Sequence, residues 1–255
     1  MSVQIIVKVF PDNQALAGFA VGLFDRATRE ALGRAEKCLV SLSGGGTPMS
    51  LYRLLAQSPY RESLPWANIH FFWGDERCVS PQDAESCYQQ ANQAWLAPVG
   101  VPQTNIHRVK GELGSHAAAQ DYARVLAEFG NGQPWPRFDL VLLGLGADGH
   151  TASLFPGSEL TSGLATLPVT AQYQDRPANR VSLSADVFNS AREVVFLATG
   201  AEKSNALLAT LAGPRELVRL PAQRIRPTDG CLWWLVDQAA AAQLPDSMAG
   251  VEIQR

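Results

Sequence analysis

His150 stands in the run Asp148-Gly149-His150-Thr151, just after an apolar stretch, Leu140 to Leu143. Gly144, Gly146 and Gly149 turn the chain between the two. An imidazole titrates near neutrality, so it suits general-base work. Asp148 has two possible tasks: binding backbone in the turn, or orienting His150. Ser153 raises the question of a nucleophilic serine, but the G-x-S-x-G pattern is absent. A Ser–His hydrolase is therefore the weaker reading.

Four further groups could hold an anion or polarise a carbonyl. Ser43-Gly44-Gly45-Gly46-Thr47 follows an apolar run and precedes a helical pattern. Backbone N–H groups at such a junction point at an anion, and the helix dipole favours its charge. The loop lacks both the Gly-Lys-Ser/Thr ending of a P-loop and the G-x-G-x-x-G spacing of a dinucleotide site. A tight turn that binds nothing would also use glycine, though three exceed what a turn needs. Arg77 closes Gly74-Asp75-Glu76-Arg77, and its fixed fork suits a carbonyl, carboxylate or phosphate. The alternative there is a surface loop with an internal ion pair. Lys203 follows Gly200-Ala201-Glu202 in the first turn of an expected helix, where a cation opposes the helix dipole. An anion bound at that terminus would justify it. Arg180, just before Val181-Ser182-Leu183, is a similar candidate. Each cation could instead be a solvated surface group.

The elements that must position these groups follow from periodicity. Residues 3–9, Cys38–Leu42, Ile69–Trp73, Leu140–Leu143, Val181–Leu183, Val194–Ala198 and 231–236 read as strands. Between them, apolar spacings of three and four predict helices. The first carries Leu16, Phe19, Ala20, Leu23 and Phe24, capped by Asp12 or Asn13. Thr47 as N-cap and Pro48 as first residue open the second. Further helices are expected over 83–95, over 115–129 with Ser115 as cap, after Gly200, and after Asp237. Segments 98–114 and 157–178 read mostly as loops. Alternating strands and helices predict an α/β fold, Rossmann-like, with a mainly parallel sheet covered by helices on both faces. Ligands then sit beyond the carboxyl ends of the strands. One domain over 1–255 is the simpler expectation.

The totals agree. The chain has 255 residues, 46% hydrophobic and 18% charged, with a net charge of −3. That suits a packed globular protein and gives no support to a general nucleic-acid or anionic-membrane role, since both need a basic face; an anionic small substrate would need a local basic cluster. The four cysteines form no close metal-ligand pair, so no metal site is expected. Cys38 and Cys231 lie in strand-like runs and read as buried reduced thiols. The N-terminal run is short, interrupted by Lys8 and ended by Pro11-Asp12, which reads as a strand and not a leader. A cytoplasmic location is expected.

Five ordered stretches are similar to one family. Ser41 to Pro48, Phe72 to Arg77, Gly144 to Pro156, Arg180 to Ser184 and Gly200 to Lys203 resemble the 6-phosphogluconolactonases. The related glucosamine-6-phosphate deaminases share the glycine loop, the Asp-Glu pair and Asp-Gly-His. They typically read Asp-Glu-Tyr where this chain has Asp75-Glu76-Arg77, and Ile-Ala-Phe where it has Thr151-Ala152-Ser153. The resemblance implies hydrolysis of 6-phospho-D-glucono-1,5-lactone, a small phosphosugar lactone, without a cofactor. It implies His150 as base, Arg77 at the oxyanion, and Asp75 as a hydroxyl ligand or a partner for Arg77. Gly44, Gly45, Gly46, Thr47, Arg180 and Lys203 would hold the phosphate. A deaminase using Asp75 as base, or a sugar-phosphate sensor without turnover, are the alternatives.

Overall fold

A computed structural model describes residues 3–254. Its strands are β1 (Gln4–Phe10), β2 (Cys38–Leu42), β3 (Ile69–Trp73), β4 (Asp75–Arg77), β5 (Ile106–His107) and β6 (Leu140–Gly144). They continue as β7 (Thr166–Thr170), β8 (Asn179–Leu183), β9 (Glu193–Ala198), β10 (Cys231–Asp237) and β11 (Val251–Gln254). Among the described residues, eight strands form one parallel sheet in the order β11-β1-β10-β9-β6-β2-β3-β5. Every residue of β3 and β9 is buried, so both faces of the sheet are covered. The apolar runs that predicted these strands reflect that two-sided burial.

The order of the strands locates a crevice. From β2 the chain moves to β3 and β5 on one side. It then returns to β6, on the other side of β2, and continues to β9 and β10. The connections after β2 and β6 therefore leave in opposite directions at the carboxyl edge. Open α/β sheets bind ligands at such a reversal. The glycine loop follows β2, and the His150 turn follows β6.

A second sheet of three antiparallel strands, β4-β8-β7, lies beside the first. It corrects two expectations. Gly74–Arg77 is not a surface loop: Asp75–Arg77 is strand β4, fully buried. The 157–178 segment contains β7, whose Pro168 and alternating exposure hide it from an apolar-run search. The Ser115–Glu128 helix packs on β7 and β8.

Local chemistry explains other differences. The Asn13–Leu32 helix is capped by Asp12, which accepts from the Ala15 N–H at 2.8 Å. The second helix starts at Gly46, not after Thr47; its cap is Gly45, at φ 99°, which only glycine adopts easily. Gly114 caps the Ser115–Glu128 helix with no side-chain bond, so Ser115 is not the cap. The helix expected from Asp83 begins at Cys87. Ser86 caps it by accepting from Gln89 N at 3.1 Å, and helical turns continue to Val99. After β10, Asp237 takes the Ala240 N–H at 2.7 Å, but only turns follow. All four cysteines are free; Cys38 is buried and Cys231 only half-buried. Among the described residues, no helix is long and apolar enough to cross a membrane.

Candidate active site

The turn after β6 is built around its histidine. Gly146 N–H donates to the His150 carbonyl at 2.8 Å, and Gly149, at φ 86°, donates to the Gly146 carbonyl at 3.0 Å. Thr151 Oγ1 donates to the Gly144 carbonyl at 2.9 Å, tying the turn to the strand end. A Cβ on Gly146 would collide with His150 Nδ1 and Asp148 Oδ1. The close approach is possible only because residue 146 is glycine.

Asp148 performs both tasks the sequence left open. One oxygen, Oδ1, accepts from the His150 backbone N–H at 3.1 Å and lies 2.6 Å from His150 Nδ1. A carboxylate accepts, so Nδ1 carries the proton and Nε2 is left for chemistry in the neutral ring. Burial opposes the charge on Asp148. The hydrogen bond and charge of His150 outweigh it and hold the carboxyl below its ordinary value. Ser153 is fully buried and donates from Oγ to Asp75 Oδ2 at 2.7 Å. Its hydroxyl is committed to Asp75, and it does not line the cavity that His150 faces.

Strands β4 and β8 set Arg77 directly opposite Arg180 and Asp75 opposite Ser182. Like charges facing each other across a ladder are unfavourable unless an anion joins them. Both arginines are buried, 5% and 3% exposed, and Arg77 Nε and Arg180 Nη2 have no hydrogen-bond partner. Burial lowers the pKa of Arg180, Asp75 opposes that, and Arg77 lowers it further. Arg77 Nη1 donates to the Glu85 carbonyl at 2.6 Å and lies 3.4 Å from Glu85 Oε2. Its ion-pair partner is therefore Glu85, where Asp75 was one expectation.

Glu76 holds this arrangement in place. Its Oε1 accepts from Arg77 N at 2.8 Å and Cys87 N at 2.7 Å. Its Oε2 accepts from Tyr88 N at 2.8 Å and Ser86 Oγ at 3.0 Å. Burial pushes this carboxyl's pKa up, and those four donors pull it back. Cys87 then packs beneath the glycine loop, where a Cβ on Gly44 would strike its sulfur. Burial raises the Cys87 thiol well above its ordinary value, so it is packing and not a nucleophile. On the loop's other side, Thr47 Oγ1 lies 3.0 Å from Thr199 Oγ1, beside the Gly200–Lys203 turn.

One cavity of about 190 Å³ joins these groups. His150, Arg77 and Asp75 line it, as do Gly44, Gly45, Gly46, Thr47, Arg180 and Lys203. The residues proposed from the sequence as catalytic or phosphate-binding thus meet at one place. Cys87, Tyr173, Gln174 and Arg176 also line it and were not foreseen. The last three come from the β7–β8 connection, whose polar sequence carries no motif. Four cationic side chains and one carboxylate face the cavity, which suits an anionic small molecule. Among the described residues, no cluster of three or more His, Cys, Asp or Glu side chains could hold a metal ion.

This chain is similar to proteins of known activity along most of its length. It is 38% identical over 206 residues to a 6-phosphogluconolactonase of Aggregatibacter actinomycetemcomitans, covering 80% of this chain and 87% of that one. It is 37% identical over 241 residues to the 6-phosphogluconolactonase of a Nostoc species, covering 93% and 98%. The solved structure of 6-phosphogluconolactonase from Trypanosoma brucei superposes with a TM-score of 0.84 at 27% identity, covering 96% and 100%. Residues 11–234, which include the glycine loop, both arginines and His150, match the model for glucosamine-6-phosphate isomerases/6-phosphogluconolactonase, and the chain belongs to that family.

Proposed function

We propose that this enzyme hydrolyses 6-phospho-D-glucono-1,5-lactone to 6-phospho-D-gluconate, a step of the oxidative pentose phosphate pathway. The observation that carries the proposal is the Asp148-held His150 opening onto the cavity that also holds the glycine loop and the arginines. The Gly44–Thr47 loop, Lys203 and Arg180 hold the phosphate. Arg77 polarises the C1 carbonyl. Neutral His150 takes a proton from water at Nε2 as the oxygen attacks C1. Arg77 stabilises the resulting oxyanion. As the C1–ring oxygen bond breaks, His150 returns the proton to that oxygen. One water is consumed, and the product is a carboxylic acid that ionises. Asp75, held by Ser153, accepts from a substrate hydroxyl.

A coupled assay on freshly made lactone, corrected for spontaneous hydrolysis, tests this. His150→Ala should lower kcat by about 10²–10⁴-fold, the usual worth of a general base. A variant with wild-type kcat would remove His150 from the mechanism. Lys203→Ala should mainly raise KM, with kcat nearly kept. Ammonia release from glucosamine 6-phosphate should be absent; its presence would favour a deaminase with Asp75 as base. A binding-only sensor would have no use for an oriented His150.

A further inference from the structure

We propose that Tyr173, at the tip of the β7–β8 hairpin, is a positioning residue for His150; the role rests on the hydrolase reading above. The hairpin reverses in a two-residue turn. Arg176 N–H donates to the Tyr173 carbonyl at 3.1 Å, and the central residues Gln174 and Asp175 have φ of 51° and 53°. Two left-handed residues make this a type I′ turn, which favours Asn or Gly. Gln is a poor choice there, because its Cβ crowds the backbone. Yet Tyr173, Gln174 and Arg176 all line the cavity. The tip is built to reach the site, at the expense of its own turn.

The Tyr173 ring meets the His150 ring nearly perpendicular, 75° between planes and 4.7 Å between centroids. Phe155 contacts the same imidazole at 4.6 Å, and the two aromatic rings lie 5.7 Å apart. The Asp148 bond fixes one point of the imidazole. A ring held at one point can still swing about it. Contacts from Tyr173 and Phe155 remove that freedom and leave Nε2 aimed at one place. Placement matters steeply for a base, since a misplacement of about 1 Å can cost about 10²-fold.

The hairpin also ties the base to the cations. Strand β8, which leaves the tip, carries Arg180, and Arg180 faces Arg77 on β4. One three-stranded sheet therefore sets the base's ring contact and both buried arginines.

The test uses the full chain with Tyr173→Ala, Tyr173→Leu and Tyr173→Phe, beside His150→Ala. Steady-state kinetics on the lactone are paired with ¹⁵N NMR of labelled histidine, which reads the imidazole tautomer and, by line width, the ring's motion. Tyr173→Ala and Tyr173→Leu should each lower kcat by about tenfold or more, with KM within about twofold. Their His150 signals should keep the Nδ1–H form that Asp148 sets and broaden as the ring gains freedom. Tyr173→Phe keeps the ring and should stay near wild type in both readouts. The proposal is overturned if Tyr173→Ala or Tyr173→Leu keeps wild-type kcat and line width. It is equally overturned if kcat falls while the His150 line width is unchanged. Activity retained in His150→Ala would instead sink the hydrolase reading itself.

Discussion

His150 has one nitrogen engaged and one open, and Asp148 decides which. The carboxylate accepts from Nδ1–H and from the same residue's backbone, so side chain and main chain are fixed together. This has a consequence for pH. The Asp148 carboxyl sits below its ordinary value of 3.8, since the bond and charge from His150 exceed the opposing effect of burial. A carboxyl lowered on folding adds stability above its unfolded value, and that stability is lost as pH falls through the folded value. Asp148→Asn should therefore melt below the wild type near neutrality. The gap should close as pH falls below about 3.8. A melting series across pH checks this; a gap that is constant with pH would mean the carboxylate's charge contributes nothing. Gly146 sets the limit on the whole arrangement, because any side chain there would occupy the place of the imidazole.

Between elements, the joint that matters is Glu76. It fastens β4 to the Cys87–Ala91 helix through two backbone N–H groups and the Ser86 hydroxyl, and it also takes the Arg77 N–H of its own strand. The strand carries Arg77, and the helix carries the Cys87 that supports Gly44. The glycine loop and Arg77 thus share one buried anchor. Glutamine has the same shape, but its NH₂ would face donors where an oxygen now accepts. Glu76→Gln should destabilise the fold by about 1–3 kcal/mol, the range for leaving buried donors unsatisfied. Urea denaturation measures it. An unchanged midpoint would mean the donors find other acceptors.

Across the whole molecule, the parallel sheet reverses direction between β2 and β6, and the cavity opens at that reversal. The chain's net charge is −3, yet its cavity gathers Arg77, Arg176, Arg180 and Lys203. Attraction of an anionic substrate is thus local and should be sensitive to salt. Between 0.01 and 0.15 M ionic strength, the Debye length shrinks from about 30 Å to about 8 Å. Over that range kcat/KM should fall several-fold while kcat changes little, because the cations act mainly on capture. Stopped-flow or steady-state rates at graded salt would show it; a flat response would mean that the cavity's charge does not steer.

Strands buried on both faces were legible because they are continuous apolar runs, and β2, β3, β6, β9 and β10 all are. The glycine loop and the His150 turn were legible because backbone approach and turning demand particular residues at particular spacings. Most of the residues proposed for chemistry were readable for the same reason: they stand at the end of such a strand or beside such a turn. Only the tertiary structure decided that Asp75–Arg77 is a buried strand, since a short polar segment becomes one by pairing with β8 far along the chain. Pairing also set Arg77 against Arg180, and the hairpin turn brought Tyr173 to His150. Nothing local distinguishes those residues from solvated ones. A side chain's type and neighbours in sequence state what it can do; its partner across a ladder or a cavity wall is set by the packing of distant segments.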